Sequence, residues 1–362
     1  MLNNIIINVS FVFFVSFISS YVIIFRHAQK ASSVFKRNDT DAIQASHSTP
    51  VSRLGGLSII IALVFAALPI IDSTSSWPNY WLLLLSTFPV FVVGFCEDLG
   101  YFSSPRIRLL AAVLSGVSFI CLFGFWLTRT DIPGLDLVIR WAPIGIGFSL
   151  FLATGINHAF NLIDGLNGLS SFTSIGIALS LAVISHQVEL FQYQDFLIIL
   201  SAAIAGFVVL NFPFGKIFLG DGGAYAIGHI LVWVSISILY AAPSVTPLSI
   251  LLIFFFPIVD TLIAIVRRIY LGEPILRPDR LHFHQLIMRG VEILFLGRNR
   301  LHIANPLATL LTLPFAFTPM IVGVLVAFDR SQAAIACLFF FVFYAIIYMA
   351  IILLTRRFWC SI

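Results

Sequence analysis

Eleven apolar runs, each near the length that crosses a bilayer, constrain this chain more than any other feature of its sequence. They fall near residues 5–25, 54–71, 80–96, 109–127, 139–156, 168–185, 195–211, 222–240, 247–266, 304–328 and 333–354. A helix of about 20 residues spans the roughly 30 Å hydrocarbon layer. Lipid offers no hydrogen bonds, so such a run must satisfy its own backbone, and a helix does this within one segment. With 60% hydrophobic and 10% charged residues, the 362-residue chain also has too few charges to cover a soluble globule. The expected fold is an all-α integral membrane protein, a polytopic bundle of about 11 transmembrane helices. The first run begins without a basic n-region and has no small-residue cleavage site, and reads as a retained span rather than a removed signal.

The distribution of Lys and Arg orients the bundle. An outside N-terminus puts 17 basic residues on the cytoplasmic side and three, Arg129, Arg140 and Arg330, on the other. That bias predicts an N-out, C-in arrangement. Every loop rich in polar chemistry then faces the cytoplasm: residues 26–53, 97–108, 157–167, 212–221 and 267–303. The last can hold a short amphipathic helix around Phe283 to Leu296, lying on the membrane surface. No repeat or separate soluble domain is visible, so residues 1–362 read as one membrane-embedded domain containing the 267–303 loop. Cys96, Cys121, Cys337 and Cys360 lack metal-type or redox-type spacing and read as structural.

Four stretches carry chemistry. In NHAFNLIDGLNGL, Asn157, Asn161, Asp164 and Asn167 recur at steps of three or four, which aligns them on one helical face too polar for lipid. Asn carbonyls and an Asp carboxylate suit Mg²⁺, although DG and NG also signal a plain turn. His158 reads more readily as an interfacial histidine than as a ligand. In GFCEDLGYFSSPRIRLL, Glu97 and Asp98 are adjacent acids at the end of a span, with Arg106 and Arg108 a short loop later. Like charges so close favour a proton on one of them, which makes a candidate base, while the plainer reading is a solvated acid pair.

In NFPFGKIFLGDGGAYAIG, Asp221 sits between glycines at the start of a span, where backbone N–H groups and the positive end of the helix dipole await an anion. Asp221 could hold a cation bridging to phosphate, and Phe218 could stack on a base; an ordinary helix start is the alternative. In RRIYLGEPILRPDRLHFHQLIMRG, the basic cluster includes Arg277, Arg280, His282, His284 and Arg289 and suits a pyrophosphate. Positive-inside topology accounts for some of the arginines, and no third His or Cys completes a zinc set. Two minor features are HSTPVSRLGG before the second span and Asp260, which either supports the site or pairs with a neighbouring helix.

Taken together and in this order, these motifs resemble the polyprenyl-phosphate N-acetylhexosamine-1-phosphate transferases, glycosyltransferase family 4. The matching pieces are GG near the second span, an acid pair ending the third, NxxxNxxDGxxGL, FxGDxG and a late His-rich loop. Three positions depart from the family pattern: Glu97 in an Asp-Asp pair, Asn167 where DGxDGL is common, and Gln285 in an HxHH run.

The resemblance implies an active site at the cytoplasmic face of a bacterial inner-membrane enzyme. There a polyprenyl phosphate oxygen attacks the β-phosphorus of a UDP-N-acetylhexosamine, giving polyprenyl-diphospho-sugar and UMP. It assigns Asn161 and Asp221 to Mg²⁺, with Mn²⁺ as the alternative. Glu97, Asp98 and Asp164 become catalytic candidates, as bases, positioning groups or, in a two-step route, nucleophiles. Arg108, Arg280, His282 and His284 would neutralise the pyrophosphate, while Phe218 and Asn167 meet uracil and Asn157 joins the substrate set. The implied partners are the UDP-sugar, undecaprenyl phosphate and membrane lipid, with no nucleic acid; a homodimer is left open. The rival readings are a lipid or sugar transporter and a catalytically silent lipid binder.

Overall fold

A computed structural model describes residues 2–29, 51–67, 80–101, 104–274, 281–296 and 300–359. Among them there is helix and turn but no strand. The helices are α1 (Leu2–Gln29), α2 (Gly55–Ala66), α3 (Tyr80–Asp98), α4 (Pro105–Phe123), α5 (Leu135–Ile139), α6 (Ala142–Ile163) and α7 (Leu169–Gln187). They continue with α8 (Phe191–Asn211), α9 (Gly220–Ala241), α10 (Pro247–Ile253), α11 (Phe255–Leu271), α12 (Phe283–Val291), α13 (Leu301–Leu325) and α14 (Arg330–Trp359). A π turn, Glu292–Leu296, extends α12. Nine described helices are long and apolar enough to cross a membrane, and α10 with α11 forms a tenth span if the two are counted together. The chain is a polytopic helical membrane protein.

Two apolar runs depart from straight spans. The run at 54–71 yields α2, a helix of 12 residues, with residues 68–71 outside the described set. The run at 247–266 breaks at Phe254, where α11 turns 80° from α10. Pro257 supplies the reason: in a continuous helix its nitrogen would have to serve the Ile253 carbonyl, and it has no N–H to give. The run at 139–156 departs the other way, continuing as helix to Ile163, so Asn157 and Asn161 stand on the last two turns of α6, in line with their helical spacing, and the 157–167 loop shortens. The first strong breaker is Asp164-Gly165.

The bundle is built around α9. It is buried without interruption from Gly220 to Ile238 and packs against α2, α3, α4, α6 and α7. In lipid, helix association relies on close packing rather than on a hydrophobic drive, so small residues mark the contacts. A methyl group on Gly94 of α3 would stand 2.6 Å from the Gly222 Cα, and one on Gly56 of α2 would stand 2.2 Å from the Gly223 Cα. Backbones therefore touch backbones at the start of α9, and the start of α2 and the end of α3 are drawn onto it. Deeper in the bundle, Phe119 stacks on Trp233 with ring centroids 4.3 Å apart.

Candidate active site

The first turn of α9 has unpaired N–H groups to satisfy, as every helix start does. Two carboxylates from other helices do so. Asp98, the last residue of α3, accepts the N–H of Asp221 through Oδ1 and that of Gly222 through Oδ2, both at 2.9 Å. Asp164, at the C-terminal cap of α6, accepts the N–H of Gly220. The Asp221 side chain is thereby presented at a fixed place, where Asn161 Nδ2 donates to its Oδ1 at 2.8 Å and Arg53 Nη2 does so at 3.1 Å.

Arg108 completes the centre. Its Nη1 lies 3.8 Å from Asp221 Oδ2 and 3.4 Å from Glu97 Oε1, and it also hydrogen-bonds Tyr225. Arg53 Nε lies 3.5 Å from Asp98 Oδ1. Glu97 and Asp98 are adjacent in sequence, yet they serve different partners. Glu97 meets the α4 arginine; Asp98 holds the α9 backbone. Burial pushes the Asp164 carboxyl well above its ordinary pKa, and the Asp221 charge adds to this, while Arg53 and the Gly220 N–H oppose it.

The two roles of the acid pair can be separated. Asp98→Asn would leave one oxygen for two N–H groups and turn an amide N–H against the other, leaving a buried donor unsatisfied at a cost of about 1–3 kcal/mol. It should therefore lower the melting temperature clearly, whereas Glu97→Gln leaves the α9 start intact and should shift it little. Thermal denaturation of the purified variants checks this, and equal shifts would contradict the division.

The late loop reaches the same end of the bundle. His282 precedes α12, and His284 in its first turn is fully buried against the Asp164-Gly165 turn. A methyl group on Gly165 would stand 2.7 Å from His284 Nε2. Neither ring nitrogen of His284 has a hydrogen-bond partner among the described residues. Burial lowers its pKa to about 4, with Asp260 opposing and His282 adding, so at pH 7 this imidazole offers a hydrogen bond and no charge. His282 Nδ1 is 2.8 Å from Asp260 Oδ2.

The remaining expected residues divide. Asn167 clasps the loops together: its Nδ2 donates to the Pro213 carbonyl at 3.2 Å, its N–H goes to Asn305 Oδ1, and its carbonyl accepts from Thr309. Phe218 is held by its backbone, its N–H on Ser52 and its carbonyl on Gly55. Asn157 is not joined to Asp221. It packs against Gly228, seven residues along α9, or about 10 Å deeper at 1.5 Å per residue. Arg280 lies outside the described residues.

A cluster of acids and arginines is gathered on one buried helix start, at one end of an apolar bundle, where the helix dipole and the guanidinium groups suit an anion such as phosphate. Comparison with known proteins agrees. Residues 80–239 match glycosyl transferase family 4. This family 4 region holds Glu97, Asp98, Arg108, Asn161, Asp164 and Asp221. The chain is 29% identical over 245 residues to a probable undecaprenyl-phosphate N-acetylglucosaminyl 1-phosphate transferase of Bacillus subtilis, covering 67% of each chain. It is 25% identical over 249 residues to the undecaprenyl-phosphate alpha-N-acetylglucosaminyl 1-phosphate transferase of Yersinia pestis, again covering 67% of each. To the phospho-N-acetylmuramoyl-pentapeptide-transferase of B. subtilis it is 27% identical over 292 residues, covering 75% of this chain and 86% of the relative. The motifs thus resemble the family that the family 4 region matches.

Sequence reading passed over two members of the centre. Arg53 lies before the family 4 region and was visible only as part of the approach to a Gly pair. Its backbone run is tied to the α9 loop by Gly55 N–H to Phe218 O at 2.9 Å and Gly56 N–H to Leu219 O at 2.8 Å. Tyr225 had a readable signal, since it stands four residues after Asp221 and so on the same helical face.

Proposed function

We propose that the protein transfers N-acetylhexosamine-1-phosphate from a UDP-sugar to undecaprenyl phosphate, releasing UMP, as a first step in bacterial cell-surface polysaccharide synthesis. The observation that carries this reading is the convergence of Asp98, Asp164, Asn161, Arg53 and Arg108 on Asp221 at the buried start of α9. Phosphoryl transfer needs positioning and charge neutralisation more than covalent help from the protein.

The roles follow from the contacts. Asp98 and Asp164 fix the α9 backbone, and with it Asp221. Asn161 and Asp221 are oxygen ligands of the kind Mg²⁺ takes, and no three His, Cys, Asp or Glu side chains among the described residues form a cage of their own. That donor set fits a cation held by one carboxylate and completed by phosphate oxygens and water. Bound there, Mg²⁺ would neutralise phosphate charge. Arg108 and Arg53 bring guanidinium groups to the same place, and His284 lies against the Gly165 turn beside it, with His282 next to His284. Glu97 sets Arg108. The acceptor phosphate has a second pKa near 6, so at neutral pH most of it needs no base. A single in-line displacement, with inversion at phosphorus, is the simplest course.

The membrane setting is part of the chemistry: the isoprenoid tail stays in lipid while the nucleotide sugar arrives from water. The basic bias of 17 to three supports the N-out, C-in orientation, with the site facing the cytoplasm of a bacterial inner membrane and the whole chain acting as one domain. The test is transfer of labelled sugar into the organic phase by purified protein supplied with undecaprenyl phosphate, Mg²⁺ and each of several UDP-N-acetylhexosamines. At least one donor should be used, and a chelator should stop the transfer. Vesicle uptake of the lipid or sugar without transfer would favour a transporter, and lipid binding without turnover on any donor would favour a silent homologue.

A further inference from the structure

The last turns of α6 bring two side chains against α9. Asn161 meets Asp221, and one turn earlier His158 meets Tyr225, the two rings edge to face with centroids 5.2 Å apart. At 1.5 Å per residue, His158 lies about 4.5 Å deeper along α6 than Asn161, and Tyr225 about 6 Å deeper along α9 than Asp221. The Tyr225 side chain is hydrogen-bonded to Arg108, and Arg108 and Asp221 are the charged groups that act on the His158 ring.

Two features of this second rung point to a ligand. His158 Nε2 and Arg108 Nε are both buried, and neither has a hydrogen-bond partner among the described residues. Buried polar groups in folded proteins are nearly always paired. Arg108 Nε–H is a donor, and so is the imidazole in its Nε2–H tautomer, so both lack an acceptor; a phosphate, with several acceptor oxygens, serves both. The other feature is access. His158 stands seven residues after Phe151 and four before Leu162, so the three share a helical face. Phe151 is 74% exposed and Leu162 37%. On α4, the neighbours of Arg108 in the chain, Ile107 and Leu109, are 41% and 51% exposed. Apolar positions exposed on a membrane-spanning helix meet lipid, and a histidine in such a stripe is costly unless a polar partner reaches it. A ligand that comes to His158 along this face arrives from the bilayer and carries an apolar tail.

We propose that His158, together with Arg108, binds the phosphate of the lipid acceptor through its Nε2–H, one helical turn deeper than the Asn161–Asp221 pair. This rests on the transferase reading of the site, and it gives the two substrates separate levels. The nucleotide diphosphate lies at the Asp221 level, on the side of the aqueous phase, and the acceptor phosphate lies at the His158 level, on the side of the bilayer. The contact is a hydrogen bond to a phosphate that is already ionised, so no proton changes hands.

Without a UDP-sugar nothing turns over, so lipid binding can be measured alone, by titrating the purified protein with undecaprenyl phosphate and, as the reference, undecaprenol, followed by native mass spectrometry. The wild type should prefer the phosphate. His158→Phe keeps a ring against Tyr225 and should lose roughly tenfold of that preference, the worth of one hydrogen bond to a charged group. His158→Gln retains an N–H and should recover most of it. Binding of UDP-N-acetylglucosamine with Mg²⁺ should be the same in all three proteins. In turnover the loss should appear in KM for the lipid and not in KM for the nucleotide sugar, a split that a merely structural change would not produce. If His158→Phe does not fold, His158→Met takes its place. The proposal is overturned by a wild type that does not distinguish phosphate from alcohol, by an unchanged preference in His158→Phe, by a His158→Gln no better than it, or by equal losses for both substrates. Displacement of the lipid by inorganic phosphate at equal concentration would mark a site for a free anion and overturn it too. A wild type that prefers the phosphate through His158 yet transfers no sugar would remove the transferase reading and leave the lipid subsite; sugar transfer with an unmoved lipid KM in His158→Phe would do the reverse.

Discussion

Asp221→Asn should lower UMP formation by about 10²–10³-fold, the range seen when one preorganised electrostatic group is removed, and leave the protein folded. The backbone of residue 221 is held by Asp98 through its own N–H and that of Gly222, independently of the side chain that is changed. The α9 start should therefore survive. The carboxylate charge on which Asn161, Arg53 and Arg108 converge would not. Two guanidinium groups would then face an amide, and the site would lose the carboxylate proposed to hold the cation. Turnover and a melting curve, measured on the same preparation, check both halves of the expectation. A large loss of stability with activity preserved per folded molecule would mean that Asp221 is structural.

The second large effect should come from a methyl group. Gly220 has φ +77°, a left-handed backbone that costs an L-residue roughly 1–2 kcal/mol. An added Cβ would also stand 2.0 Å from the Arg53 carbonyl oxygen and 2.6 Å from Asp98 Oδ2. Overpacking of this kind costs about 1–3 kcal/mol more. Because the obstructed atoms belong to the two residues that flank Asp221, relief of the clash should displace the site as well. Gly220→Ala is expected to lower both the melting temperature and the turnover of the surviving fold. Gly155→Ala in α6 is the control, since nothing stands within 4 Å of its added methyl group. Equal behaviour of the two variants would contradict the account of the α9 start.

The membrane class and most of the polar residues at the site were legible in the sequence, because apolar run length and motif order are local properties. The 80° break at Phe254 could have been read from Pro257 but was hidden within one apolar run. The apolar run stops seven residues short of the end of α6, and the helical spacing of Asn157 and Asn161 signalled the extension that hydrophobicity alone does not show. Which acid does what was not legible. Glu97 and Asp98 differ by one methylene in sequence, and only the packing of Gly94 on Gly222 decides that Asp98 faces the α9 backbone. Arg53 joins the centre across a separation of 168 residues, a contact that no local pattern encodes.

The measurement that bears most directly on the central claim is UMP release by the purified wild-type protein, followed with and without undecaprenyl phosphate while sugar is counted in the lipid product. Release that requires the lipid and matches lipid-linked sugar one for one is the predicted result. Nucleotide release independent of the lipid, or no release from any UDP-N-acetylhexosamine by folded protein that binds the lipid, would contradict it.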